Sequence, residues 1–345
     1  MRTIRFGKCL FALLSMLCLI NQGSAQDFQF SQFYAAPLYL NPALTGISQE
    51  TRMGSVYRNQ WPGLDYQFTA YTAYVDHYSF DQKSGVGLSV SSFSEEFLKL
   101  NTTEISGYYA YNLQLSERAN FQAGTQISYI LKRGTLENLF FGDQIDLINQ
   151  TTLPSSADAV GGLDTFSYFS LGLGGVITWD QLWIGVSGHH LNRPNLAFFM
   201  RDGQTQHWPK YSLQVGYTIP LYEPEFWEEG SGEFVHFMAN YKRQGPFQFL
   251  DAGVQVLLNQ LVLGAGIRNM PIQSELPKRD SVIALFGLNL FSGLSMGYSY
   301  DYPISDVGSQ TLGSHELSLR YQFFYGTPKS RGRRSRVLPC FAYLR

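Results

Sequence analysis

The chain is poor in cysteine, in charge and in long apolar runs. Cys9, Cys18 and Cys340 are the three cysteines of 345 residues, too few for a disulfide-stapled scaffold, and none has a histidine at zinc spacing. Charged residues make up 15% of the chain, against about 25% in a soluble domain. Beyond the N-terminus no stretch approaches the roughly 18 to 20 consecutive apolar residues of a membrane helix. Yet 44% of residues are hydrophobic and 15% aromatic. Low charge without apolar runs implies that the apolar residues are dispersed by alternation, the pattern of a β-barrel in lipid.

The N-terminus reads as a secretory signal. Arg2, Arg5 and Lys8 form a basic start, residues 9–20 are apolar apart from Ser15, and Gly23-Ser24-Ala25 offers small residues before a cut at Ala25/Gln26. Cys18 follows Leu17, where a lipoprotein signal wants a small residue, so ordinary cleavage is expected. The exported chain would then keep Cys340 alone and form no internal disulfide.

From Arg52 onward the sequence alternates with period two. Phe121, Ala123, Thr125, Ile127, Tyr129 and Leu131 share one face and Asn120, Gln122, Gly124, Gln126 and Ser128 the other. Tyr211, Leu213, Val215, Tyr217 and Ile219 oppose Ser212, Gln214, Gly216 and Thr218 in the same way. Period two with aromatic and β-branched residues predicts strands. A soluble sandwich would share the period, but its polar face would carry many Lys and Glu where this one carries Gly, Ser and Gln. The expected strands are 51–60, 67–77, 84–92, 102–115, 119–131, 166–179, 182–192, 210–220, 233–244, 247–258, 261–269, 281–291, 294–303 and 313–325. The fold class is all-β, a transmembrane antiparallel barrel of about fourteen strands, an even number as bacterial single-chain barrels have.

The connections sort by length. Residues 116–118, 180–181, 259–260 and 292–293 are short and follow even-numbered strands; 132–164 and 193–209 are long and follow odd-numbered ones. Short periplasmic turns and long external loops are the usual asymmetry. The acidic connection 221–232 is a long exception on the short-turn side. Tyr57, Trp61, Tyr78, Trp179, Trp183, Tyr211 and Tyr325 lie near strand ends, where interfacial aromatic girdles sit. The tail 326–345 is basic, with Lys329, Arg331, Arg333, Arg334, Arg336 and Arg345 and no acid. Such a tail is either simply solvated or docks on an acidic partner or anionic head groups. Export makes nucleic acid an improbable partner. The expected organisation is therefore a signal peptide over 1–25, an N-terminal segment over 26–50, a barrel over 51–325 and a periplasmic tail over 326–345.

The N-terminal segment runs Gln26-Asp27-Phe28-Gln29-Phe30-Ser31-Gln32-Phe33-Tyr34-Ala35-Ala36-Pro37-Leu38-Tyr39-Leu40-Asn41-Pro42-Ala43-Leu44-Thr45-Gly46. It is followed by Tyr57-Arg58-Asn59-Gln60-Trp61-Pro62, by Gly297-Tyr298-Ser299-Tyr300-Asp301-Tyr302, and by Ser314-His315-Glu316-Leu317-Ser318-Leu319-Arg320-Tyr321. In that order these motifs resemble the PorP/SprF family, outer-membrane proteins of the type IX secretion system of Bacteroidetes. Leu338-Pro339-Cys340-Phe341 also resembles a common family ending, with four further residues after it. The resemblance implies a role in exporting or anchoring cell-surface proteins, including gliding adhesins, with periplasmic secretion components as partners. It leaves open whether this is a secretion component or a dedicated surface anchor. External loops 132–164 and 193–209 would then face a secreted protein, and 221–232 with the tail the periplasmic machinery.

Read from the residues alone, Pro37 and Pro42 should keep 27–46 extended and non-helical. Its apolar content predicts packing on or inside the barrel wall, the alternative being a disordered linker. Arg58 on the first strand could pair with an inward acid such as Asp301 or Glu316, since charge is tolerated in a lumen and not towards lipid. No catalytic, cofactor or metal residues are assigned, and the chain is expected not to be an enzyme. Of the histidines 77, 189, 190, 207, 236 and 315, the neighbours His189 and His190 should point to opposite strand faces. His315-Glu316 lacks the zinc-protease pattern, and Gly185-Val186-Ser187-Gly188-His189 lacks the nucleophile elbow. Asp143 and Asp146 alone do not make a calcium site. A passive porin is the main alternative function, with a barrel enzyme a remote one.

Overall fold

The computed structural model describes residues 27–97, 99–134, 145–146, 151–152, 165–196, 206–222, 233–269, 279–290, 293–304 and 308–323. The signal sequence, most of the two long loops, the acidic connection 223–232 and the basic tail lie outside the described residues. Fourteen strands close into one antiparallel barrel. They are β1 Thr51–Gln60, β2 Phe68–Ser79, β3 Ser84–Glu95, β4 Leu100–Gln114, β5 Ala119–Arg133, β6 Phe166–Trp179 and β7 Leu182–His189. The second half comprises β8 Lys210–Tyr222, β9 Glu233–Gln244, β10 Phe247–Leu258, β11 Leu261–Asn269, β12 Arg279–Asn289, β13 Leu294–Pro303 and β14 Ser314–Phe323. Each strand pairs with its sequence neighbours. Closure comes from β1 against β14, in a register that sets Arg58 opposite Glu316 and Gln60 opposite Ser314. Closure leaves no strand edge, which in hydrocarbon would cost several kcal/mol per unpaired amide.

The two faces of the wall are inverted relative to a soluble sandwich. Leu88, Ile127, Phe169 and Leu317 lie on the outer face at 55–60% exposure. Gln126, Ser128, Gln214, Asn240, Ser299 and Glu316 lie on the inner face and are buried. Apolar out and polar in is stable only where the outside is lipid. Among the described residues no helix is long and apolar enough to cross a membrane, so the strands do the crossing.

Three expectations about the wall need correction. Trp183 and Tyr78 do not belong to an outer girdle; they are 1% and 6% exposed and face the lumen. Trp183 shares its strand face with Gly185 and Ser187, and its indole covers Gly216, where a Cβ would collide with it. Trp179 and Tyr211 do lie on the outside, at 65% and 53% exposure. The seventh strand ends at His189 instead of 192, because His190 takes a left-handed backbone with φ of 55°. The length rule for connections also has a second exception: Gly245-Pro246 joins β9 to β10 tightly on the long-loop side.

Candidate functional site

The lumen holds the chain's own N-terminal segment. Residues 27–50 run inside the barrel from the long-loop end to the short-turn end. Asp27 meets Lys210, the first residue of β8, and Glu50 accepts a 2.6 Å bond from Gln322 near the end of β14. Between them Phe30, Phe33, Tyr34, Leu38, Leu40, Ala43 and Leu44 are all buried. Burying each large side chain contributes about 1.5–3 kcal/mol, while ordering the backbone costs about 1–2 kcal/mol per residue. Apolar burial alone therefore falls short of the ordering cost, and the segment's placement depends on directed polar contacts.

The segment is not extended. Phe33–Ala35 and Pro42–Leu44 are 3-10 turns, and Pro37–Leu40 is one helical turn. Pro37 and Pro42 begin turns, since at a first helical position proline's missing N–H has no intrahelical partner to lose and its φ is already set. Asn41 links the two turns. Its side-chain oxygen accepts from Ala43 N at 2.9 Å, and its Nδ2 donates to Val186 O at 3.1 Å and Gln214 Oε1 at 3.0 Å. The wall gives way beneath it: a Cβ on Gly174 would collide with the Asn41 carboxamide, and one on Gly124 with the Pro42 backbone.

A buried charge network grips the segment near its start. The backbone N–H groups of Ser31 and Gln32 donate to the two oxygens of Glu316 at 2.8 and 2.7 Å, and Ser31 Oγ donates to Asp301 at 2.5 Å. Arg58 pairs with Asp301 at 2.8 Å and Glu316 at 3.2 Å, and also donates to Ser31 Oγ. Arg268 and Lys242 share Asp251 at 2.8 and 2.7 Å. Near the short-turn end Arg52 grips Asp76 through Nε and Nη2, at 2.9 and 2.7 Å, while Gly46 N donates to the same carboxylate. Two spaces left between segment and wall are small. One lined by Ser31, Phe33, Met238 and Asp251 and another lined by Gln32, Tyr34 and Leu285 are each about 30 Å³, water-sized.

At the long-loop end the structure gathers four residues that the sequence did not join. His190 Nε2 lies 3.0 Å and Lys210 Nζ 2.9 Å from Asp27 Oδ2, and His207 Nε2 lies 3.5 Å from Asp27 Oδ1. Burial opposes charge on Asp27, yet Lys210 and the hydrogen-bonded His190 hold its carboxyl well below the usual range. Burial pushes the His207 imidazole down to about 4, so it is neutral at neutral pH. His189 and His190 both turn inward, against the alternation expected of neighbours, because the left-handed residue at 190 ends the pleat. His189 Nδ1 meets Gln126 at 2.9 Å, while His190 Nδ1 meets Ser170 Oγ at 2.8 Å. Asp143 lies outside the described residues, and Asp146 lies in a short two-stranded ribbon, Ile145–Asp146 against Thr151–Thr152.

A closed fourteen-strand barrel, apolar outside and stoppered by its own N-terminal segment, defines a plugged outer-membrane β-barrel. The chain belongs to the type IX secretion system membrane protein PorP/SprF family, whose model matches residues 22–321. No curated protein matches it. Among solved structures it resembles the TodX deltaS2S3 mutant monoaromatic hydrocarbon channel (12% identity, 84% of this chain and 94% of that one, TM-score 0.47). It also resembles Omp33 of Acinetobacter baumannii (8% identity, 81% and 100% coverage, TM-score 0.45). A FadL homologue of Pseudomonas aeruginosa is similar at 12% identity, 82% and 93% coverage and TM-score 0.44. These likenesses are of barrel architecture alone.

Proposed function

We propose that this barrel serves type IX secretion by exporting or anchoring cell-surface proteins, gliding adhesins among them, and that it does so as a docking platform and not as an open conduit. The observation that supports this is the filled lumen. A barrel occupied along its length by residues 27–50 presents its two ends to partners. In this reading the external partner meets connections 132–164 and 193–209, and the periplasmic machinery meets 221–232 and the basic tail. Outer-membrane lipid surrounds the wall, and catalysis plays no part. Export in a Bacteroidetes cell, with cleavage after Ala25, belongs to the same reading; mass spectrometry of the mature chain should find Gln26 first.

The test compares surface and medium proteomes of cells with and without the gene. Loss of one or a few large surface proteins marks a dedicated anchor, and broad loss of type IX cargo marks a component of the machinery itself. No change in either fraction sinks both. A full-length barrel that conducts ions steadily in a planar bilayer would bring the porin forward instead.

A further inference from the structure

Asp27, His190 and His207 come from three separate parts of the chain: the start of the luminal segment, the residue that follows β7, and the connection before β8. Their ligand atoms all lie within 4.8 Å of one another. Zinc takes imidazole nitrogen at about 2.0–2.1 Å and carboxylate oxygen at about 2.0–2.2 Å, so a tetrahedron sets adjacent donors about 3.3 Å apart. The 3.0 Å from His190 Nε2 to Asp27 Oδ2 lies near that value, and His207 Nε2 lies 3.5 Å from the other carboxylate oxygen, Oδ1, so a modest turn of the carboxylate would offer one oxygen to both imidazoles. The imidazole-to-imidazole edge is the one left to adjust, and His207 sits on a connection instead of a paired strand.

We propose that Asp27, His190 and His207 bind a divalent transition-metal ion of the zinc type, with water in the fourth position, and that the ion fastens the N-terminal segment to the barrel wall. Two imidazoles and one carboxylate suit zinc and disfavour magnesium, which demands oxygen ligands. The support around the ligands is of the kind metal sites use. His190 Nδ1 lies 2.8 Å from Ser170 Oγ; a hydrogen bond donated there leaves Nε2 free to ligate. Asp27 keeps a side chain 14% exposed, so an ion has access.

Lys210 is the competitor. Its ammonium sits 2.9 Å from Asp27 Oδ2 and also 4.7 Å from the centre of the Tyr39 ring. A dication at Asp27 would repel it, and the ring offers the ammonium a second place to rest. Zinc affinity should therefore rise when Lys210 loses its charge, whereas a site serving only as an ion pair would gain nothing.

The experiment titrates Zn²⁺, with Mg²⁺ as control, into metal-free, tag-free full-length protein in detergent, followed by calorimetry. Folding is checked by heat-modifiable gel mobility. One equivalent of zinc should bind and magnesium should not. The double variant His190→Ala/His207→Ala should weaken zinc by more than the roughly 10- to 100-fold typical of losing a supporting hydrogen bond. Lys210→Met should tighten it. Equal zinc uptake by the double variant, or none by the wild type at millimolar zinc, overturns the proposal. Should the double variant fail to fold, the wild type alone decides: zinc must slow proteolysis within residues 27–49, and protection unchanged by zinc overturns the inference.

Discussion

Arg58 is 1% exposed and stands between two carboxylates, Asp301 and Glu316. Removing one partner of a buried ion cluster is far more destructive than the cluster's net contribution, because the remaining charges stay desolvated. Arg58→Met should therefore destabilise the barrel by about 3–5 kcal/mol, read as a lower unfolding midpoint in urea with lipid or detergent held constant. A midpoint within error of wild type would mean that Asp301 and Glu316 find other partners. This cluster was legible in the sequence. The first and last strands of a closed barrel must meet, Arg58 lies on the first, and Glu316 and Asp301 sit among the polar, inward positions of the last two. The Asp27, His190 and His207 cluster was not. No local spacing links the three, and alternation pointed His190 the wrong way.

At the scale of the element, residues 27–50 behave as a stopper whose seat is carved into the wall. Gly174 lies under Asn41 and Gly124 under Pro42, so side chains at either place would push the segment away. Planar-bilayer recordings should show a nearly silent wild type. Deleting residues 27–46 should produce steady ion conductance, and Gly174→Val should produce intermittent conductance with faster proteolysis of the segment. If the deletion is as silent as the wild type, the lumen is closed by something other than this segment. The apolar content of 27–46 pointed to packing on the barrel. The turns did not follow from it, since proline can either extend a chain or open a helix, and which occurs depends on what the lumen offers to the freed amides.

For the whole molecule, the wall and the ends have separate tasks. The strand ladder and the apolar outer face account for stability in lipid, and in the docking reading partner recognition falls to the two ends. Removing 326–345 should accordingly leave a folded, heat-modifiable barrel while reducing surface retention of the partner protein several-fold, measured by quantitative proteomics of the cell surface. Unchanged retention would remove the tail from the docking reading.

The sequence by itself determined the strands, their number and their order. Each of these is written locally, in period-two alternation over some ten residues with short polar turns between, and lipid enforces the pattern by penalising any polar residue that faces out. The same alternation already carried the inward direction of Trp183, which shares its face with Gly185 and Ser187. Only the tertiary structure decided what fills the barrel and which distant groups meet there. The stopper's course depends on hydrogen bonds from Ser31, Gln32, Asn41 and Gly46 to residues more than a hundred positions away in most cases. Such contacts leave no periodic trace in the chain, because they exist only once closure has brought the whole inner face around one axis.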